Sequence, residues 1–149
     1  MVRKATIKDV KEIFSLVEAL AKKGAMLPRP LSEIYSNLRD FYIYEDNDQL
    51  LGICALHICW EDLAEVRSLS VRKGAEKRGI GRLLVEACIE EARTLGVSRV
   101  FALTYQDGFF TKAGFRVIDR GTLPHKIWTD CIKCTKFPDC DETAVILDI

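Results

Sequence analysis

The segment Val71-Arg72-Lys73-Gly74-Ala75-Glu76-Lys77-Arg78-Gly79-Ile80-Gly81-Arg82 constrains the fold of this chain more than any other. It joins an extended apolar run, Leu63–Val71, to an amphipathic run marked by Leu83, Leu84, Ala87, Cys88, Ala92 and Leu95. A strand must therefore turn directly into a helix through a loop in which five of twelve residues are basic. Glycines let a backbone approach a ligand closely, and the first helical turn offers unpaired N–H groups with partial positive charge. The junction reads as an anion site, most naturally for a pyrophosphate. A solvated basic helix start is the plain alternative. A dinucleotide fingerprint fails because Leu84 stands where the third glycine belongs, and a nucleotide P-loop fails because no Gly-Lys-Ser/Thr follows.

The rest of the chain alternates strand and helix patterns around this junction. Val2–Thr6 reads as a short strand, and Thr6 with Asp9 as a capping box. Val10, Ile13, Phe14, Val17 and Leu20 recur at helical spacing until Gly24. Leu27-Pro28-Arg29-Pro30 reads as a rigid loop, and Ser32 as the cap of a second helix ending near Asp40. Phe41–Glu45 and Leu50–Trp60 flank Asp46-Asn47-Asp48 as a hairpin. Along Leu63–Val71, alternation puts Val66 and Ser68 on one face and Glu65, Arg67 and Leu69 on the other. Gly96 ends the basic-junction helix, Arg99–Thr104 is a strand and Gly108–Ala113 a short helix. Phe115–Asp119 and Thr143–Leu147 are final strands paired around a long loop. The result is an α/β (α+β) sheet protein, read as one domain over residues 1–149.

Charge narrows the partners. Twenty-two basic and 22 acidic residues cancel, which argues against bulk nucleic acid or an anionic membrane face as the main partner. No apolar run approaches the roughly 20 residues of a membrane span. The N-terminus turns polar at Lys8 and Asp9, so a soluble, cytoplasmic protein is expected. Cys54, Cys59 and Cys88 lie in apolar segments and read as small buried hydrophobes. His125, Cys131, Cys134 and Cys140 could supply four ligands to a tetrahedral metal. Only one Cys-x2-Cys pair is present, however, so no metal is expected and packing of Ile127, Trp128 and Phe137 is the favoured account of that loop.

Arg78-Gly79-Ile80-Gly81-Arg82-Leu83-Leu84, preceded by the strand Val66–Val71, resembles the acetyl-CoA-binding motif of the GNAT N-acetyltransferase superfamily. Phe109-Phe110-Thr111-Lys112-Ala113-Gly114-Phe115 is similar to a later segment of that family. The resemblance implies a central mixed, twisted sheet of about six to seven strands, flanked by helices and splayed between the fourth and fifth. It implies acetyl-CoA as co-substrate, with Leu69, Ser70, Val71, Lys77, Arg78, Gly79, Ile80, Gly81, Arg82 and Leu83 as its binding residues. Two departures stand out. Glu76 occupies a position usually Gln or Arg, and Phe110 one where many members carry a Tyr thought to protonate the leaving thiolate.

Gly24–Ser32, Ala64–Val71 and Leu123-Pro124-His125-Lys126-Ile127-Trp128 further resemble the acetyltransferase domain of the short bacterial N-acetylglutamate synthases. That resemblance implies transfer of acetyl to the α-amine of glutamate, in arginine biosynthesis, by direct attack in a ternary complex, with a homodimer as candidate assembly. Such chemistry needs a positioned thioester, a neutral amine and a stabilised oxyanion. The splayed strands would be Leu63–Val71 and Arg99–Thr104, with backbone N–H groups near Leu69 and Val71 facing the thioester.

An α-ammonium must lose a proton before attack, and Glu65 is the candidate base, with an ion pair to Arg67 or Arg99 as the plain alternative. Tyr105, near the end of the second splayed strand, is the candidate acid, against a core or rim aromatic. Two substrate carboxylates call for cationic donors, and Arg29, Arg67 and Lys126 are the candidates. Two other readings stay open: a GNAT enzyme acting on another small amine or a protein N-terminus, and a catalytically silent acyl-CoA-binding module.

Overall fold

Two residues with left-handed backbone, Asn47 (φ 51°) and Asp48 (φ 59°), turn the chain between β2 (Phe41–Asp46) and β3 (Gln49–Trp60). Positive φ at both central positions gives the twist that a tight hairpin needs, and Asn and Asp tolerate it best after glycine. β3 pairs in turn with β4 (Leu63–Val71) across a second short turn. This antiparallel meander is the centre of the fold. The computed structural model describes residues 1–24, 29–123 and 142–149.

β1 (Val2–Lys4) joins the outer side of β2, and β5 (Arg99–Thr104), β7 (Thr143–Asp148) and β6 (Arg116–Ile118) continue beyond β4. The order is β1-β2-β3-β4-β5-β7-β6, a mixed seven-stranded sheet in which β4 and β5 run parallel. Their ladder holds Leu63, Ala64 and Glu65 against Arg99, Val100 and Phe101, and stops there. β4 continues six residues further and β5 three, unpaired with each other. The expected splay between the fourth and fifth strands is present.

Helices cover both faces. α1 (Val10–Lys22) and α2 (Leu31–Ser36) bury Val10, Ile13, Val17 and Ile34 on Phe41, Ile43, Ile53 and Ala55. α3 (Ile80–Leu95) buries Leu84, Val85, Cys88, Ile89 and Ala92 on the other face. α4 (Asp107–Lys112) adds Phe110 there. Cys54 and Cys88 meet across this core with their sulfurs 3.7 Å apart, and mutual contact and burial push the Cys54 thiol up. Cys59, in contrast, is only half-buried.

Four expectations need correction. β1 ends at Lys4, and the Thr6–Asp9 pair caps a 3-10 turn over Ile7–Asp9 that leads into α1. Pro30, not Ser32, precedes α2, and Leu38–Asp40 forms a separate 3-10 turn. The buried face of α3 includes Val85 and Ile89, while Leu83 and Leu95 are 45% and 59% exposed. Alternation along β4 breaks at Ser68, whose φ is 59°. The register passes from Ala55↔Arg67 to Ile53↔Ser70, so Cys54 faces two residues, Ser68 and Leu69. That β-bulge reverses the side-chain phase, so Leu69 does not continue the face of Glu65 and Arg67.

Asp9 anchors the start of α1 to the sheet. Its carboxylate accepts from both terminal nitrogens of Arg3 (2.8 and 3.0 Å) and from the Thr6 backbone N–H (2.7 Å). Burial opposes ionisation of Asp9, but these donors outweigh it and hold the carboxyl below its usual range. A carboxylate with a lowered folded-state pKa stabilises the fold above its unfolded value, near 3.9, and that contribution is lost as pH falls. Asp9→Asn is expected to cost about 1.5–3 kcal/mol in urea unfolding at neutral pH. The gap from the parent should narrow below about pH 4, where Asp9 of the unfolded parent chain begins to protonate while the folded one stays ionised.

Candidate active site

The end of the β4–β5 ladder opens a cleft of about 540 Å³, running from the strand tails to the start of α3. Its strand walls are Val66–Val71 of β4 and Ala102–Thr104 of β5. Tyr105, Gln106 and Phe109 close one side, and the basic junction closes the far end. Leu69, Ser70, Val71, Lys77, Gly79, Ile80, Gly81 and Arg82, all singled out from sequence, line it.

Two residues singled out with them do not. Arg78 instead pairs with Asp46 on the β2–β3 turn, 3.1 Å away. Leu83 is exposed, and its N–H already donates to the Gly79 carbonyl (3.2 Å), closing the first turn of α3. The N–H groups left without an i−4 partner at the helix start are therefore those of Ile80, Gly81 and Arg82. Gly79 takes a left-handed conformation (φ 77°) as the residue before α3, and Lys77 shares it (φ 68°) at a cost of about 1–2 kcal/mol for a residue with a side chain. The loop is braced from within. The Glu76 carboxylate accepts from the Gly74 N–H at 2.8 Å, and backbone donors hold it below the usual carboxylate range.

Ser70 brings an additional group. It is 3% exposed, and its hydroxyl oxygen has no hydrogen-bond partner among the described residues although it lines the cleft wall. A buried hydroxyl without a partner is costly, so a ligand amide that satisfied it would gain accordingly.

On the sheet face toward α2, a small depression is lined by Arg29, Glu33, Asn37, Asp40, Arg67 and Ser68, among others. Arg67 and Ser68 line both this depression and the cleft, so the two meet at the bulge. The side chains of Arg29 and Arg67 are only 12% and 13% exposed, with Glu33 3.7 Å from Arg29 and Glu65 3.8 Å from Arg67. Glu65 therefore sits beside the junction of the two spaces, on the same strand face as Arg67. Its Cα neighbours are His57 on β3 and Phe101 on β5.

Tyr105, 38% exposed, lines the cleft just past the end of β5. Phe110 is 3% exposed and packs edge-to-face on Phe109 and Phe115, with centroids 5.2 Å apart in each pair. The Phe110 position thus belongs to the core. Lys126, His125, Cys131, Cys134 and Cys140 lie outside the described residues. Among the described residues no His, Cys, Asp and Glu cluster could hold a metal. No helix among them is long and apolar enough to cross a membrane. Sequence reasoning missed Asp40, Asn37 and His57, which reach this region through strand register and a 3-10 turn rather than through any local motif.

A parallel strand pair that opens beside a glycine-rich helix start defines an acyl-coenzyme-A-dependent transferase. Residues 11–115 match the acetyltransferase (GNAT) family, and the chain belongs to that family. It is 39% identical over 145 residues to an uncharacterized N-acetyltransferase of Chlorobaculum tepidum, covering 97% of this chain and 94% of that protein. It is 35% identical over 122 residues to the amino-acid acetyltransferase of Mycobacterium tuberculosis, covering 80% of this chain and 70% of that protein. Among solved structures, N-acetylglutamate synthase of Neisseria gonorrhoeae, complexed with coenzyme A and N-acetyl-glutamate, superposes with a TM-score of 0.89 at 27% identity. That match covers 99% of this chain and 34% of that longer one. The protein is an acyltransferase that uses acetyl-CoA as co-substrate.

The arrangement makes the backbone, not a side chain, the expected holder of the coenzyme's pyrophosphate. A Cβ on Gly81 would sit 3.5 Å from the Phe109 ring, an ordinary contact, but valine's further carbons would reach toward Phe109 and Val71 at the cleft wall. Gly81→Val is therefore expected to stay folded and lose affinity for acetyl-CoA by at least about tenfold, roughly 1.4 kcal/mol. Lys77→Ala should change it much less. Calorimetric titration with coenzyme A checks both.

Proposed function

We propose that residues 1–149 act as one N-acetyltransferase domain that moves acetyl from acetyl-CoA to the α-amine of L-glutamate. The observation that carries this reading is the pair of sequestered guanidiniums, Arg29 and Arg67, at a depression that meets the coenzyme cleft at the bulge. Guanidinium forks suit carboxylates, and two of them match a dicarboxylic amino acid better than a polyamine. The named amino-acid acetyltransferases among its relatives support the same class of acceptor. Lys126 is the third proposed donor. The product, N-acetylglutamate, would feed arginine biosynthesis in the cytoplasm.

The proposed reaction is direct attack in a ternary complex. Pantetheine lies between the tails of β4 and β5, with Ser70 and the backbone of Leu69 and Val71 along it. The bulge leaves one β4 residue without its own partner on β3, and a β4 backbone N–H freed in this way stabilises the tetrahedral oxyanion. Ile80, Gly81 and Arg82 hold the pyrophosphate through their N–H groups, with Lys77, Gly79 and Arg82 shaping and charging the loop. Glu65 takes the proton of the α-ammonium, directly or through water, and Tyr105 protonates the departing thiolate.

Three measurements test this reading. Arg29→Ala should lower kcat/KM for glutamate by about 1.5–3 kcal/mol and leave acetyl-CoA affinity nearly unchanged. In a panel of glutamate, aspartate, glutamine and spermidine followed by free-thiol release, glutamate should lead and glutamine should lose, since it leaves one cation without a carboxylate. Equal turnover of glutamine and glutamate, with Arg29→Ala behaving as wild type, would remove the dicarboxylate assignment and leave the acetyltransferase intact. Glu65→Gln should lose about 10²–10⁴-fold in kcat/KM near neutral pH and recover much of it at alkaline pH, where free amine is abundant.

A further inference from the structure

Acetyl transfer from a thioester to an ammonium releases one proton per turnover. Two N–H bonds of the ammonium break, one before attack and one as the adduct becomes the amide. The N–C bond to acetyl forms, the C–S bond breaks, and the thiolate takes a proton from the acid. Once that acid is reprotonated, amide, thiol and one free proton remain. A base can accept the ammonium proton only once before it must pass it on. Glu65 is poorly placed to do so alone, since its side chain is 13% exposed.

The neighbour across the ladder is His57, the Cα partner of Glu65 on β3. Directly opposed residues of an antiparallel pair share a face, with Cβ atoms about 4.5–5.5 Å apart. His57 is 34% exposed on its side chain, well above Glu65. Its Nδ1 lies 2.8 Å from Oδ2 of Asp40, in the 3-10 turn after α2. With Nδ1–H donating to Asp40, the Nε2 lone pair is the basic site of the ring. The charged groups around the ring are Asp40 from the turn, Glu65 opposite it on β4, and Arg67 two residues further along that strand. Arg39, in the same turn, is exposed to solvent. Asp40 also lines the depression that holds Arg29 and Arg67, so the pair borders the acceptor side.

We propose that the His57–Asp40 pair carries the reaction proton from Glu65 to solvent. The proposal rests on Glu65 being the base. After the ammonium proton reaches the Glu65 carboxylate, Nε2 of His57 accepts it, an imidazole being the stronger base. Asp40 fixes the ring and offsets the charge of the imidazolium. The imidazolium then gives the proton to water or buffer from its exposed edge, and the neutral ring and ionised Glu65 are restored. His57 is thus a relay and positioning residue, acting through Glu65 rather than on the substrate.

The experiment is kcat for acetyl transfer to glutamate against buffer concentration, at fixed pH and ionic strength, with melting temperature recorded for every variant. Wild type should be insensitive to buffer. His57→Gln should be slower by roughly 10- to 10²-fold at low buffer, toward the lower end of what a positioned proton-transfer group contributes. Added imidazole should restore it in a concentration-dependent way, with the KM for acetyl-CoA unchanged. Asp40→Asn should show a smaller defect with the same rescue. A folded His57→Gln with wild-type kcat at low buffer, or with a defect that imidazole does not relieve, overturns the relay. Glu65→Gln is measured in the same series. A wild-type pH profile there overturns the base assignment, and with it the relay's first step. A Glu65→Gln defect beside an unrescued His57→Gln overturns the relay alone.

Discussion

The three-residue ladder between β4 and β5 is the constraint on which the molecule's chemistry depends. A sheet edge costs free energy when its backbone groups are buried and unpaired, so strands that part company must have something to fill the gap. Here both strands continue past the last pair, and the space between them is a cleft that reaches the helix start. A ligand with amides spaced along a flexible arm can complete the interrupted hydrogen bonding from within. The fold therefore spends backbone groups, which cannot be lost by side-chain substitution, on the part of the ligand that never changes.

The bulge at Ser68 is the second half of that device. By inserting one residue opposite Cys54 it changes which side chains face which side of the sheet. Before it, Glu65 and Arg67 face the α2 side. After it, Ser70 opposite Ile53 lies on that same side, and Leu69 and Val71 pack toward α3. The left-handed serine thus lies where the charged depression meets the cleft. The sheet face toward α2 carries Glu33, Asp40 and Glu65 together with Arg29 and Arg67, so its charges are largely balanced. Such balance limits the desolvation cost of holding guanidiniums out of water.

Much of this architecture was legible in the sequence. The bounds of β4 and β5, the hairpin at Asn47–Asp48 and the stop at Gly96 follow from local chemistry: alternation, turn-forming residues and a left-handed cap. The basic junction and its two glycines were readable as a helix start, and they line the end of the cleft. Other features were not readable, for physical reasons. Serine carries no signature for positive φ, so the bulge was hidden and the alternation drawn through it was wrong from Leu69 onward. Leu83 looked like core because its spacing suits a helix, yet the helix begins at Ile80 with a phase that buries Val85 and Ile89 instead. Arg78 looked like a phosphate ligand but finds Asp46, 32 positions away in the chain. His57 and Asp40 meet only through strand register and a 3-10 turn, a long-range geometry that composition does not encode.

The sheet also ends in a particular way. Its outermost strands, β1 and β6, are three residues each and carry Arg3, Lys4 and Arg116. Short, cationic margins offer little template for another chain to add a strand. The opening lies between β4 and β5, in the middle of the sheet, with three strands on either side of β4 in the described order. The unpaired backbone that the ligand needs is thus kept away from the margins, where it would be a template for another strand.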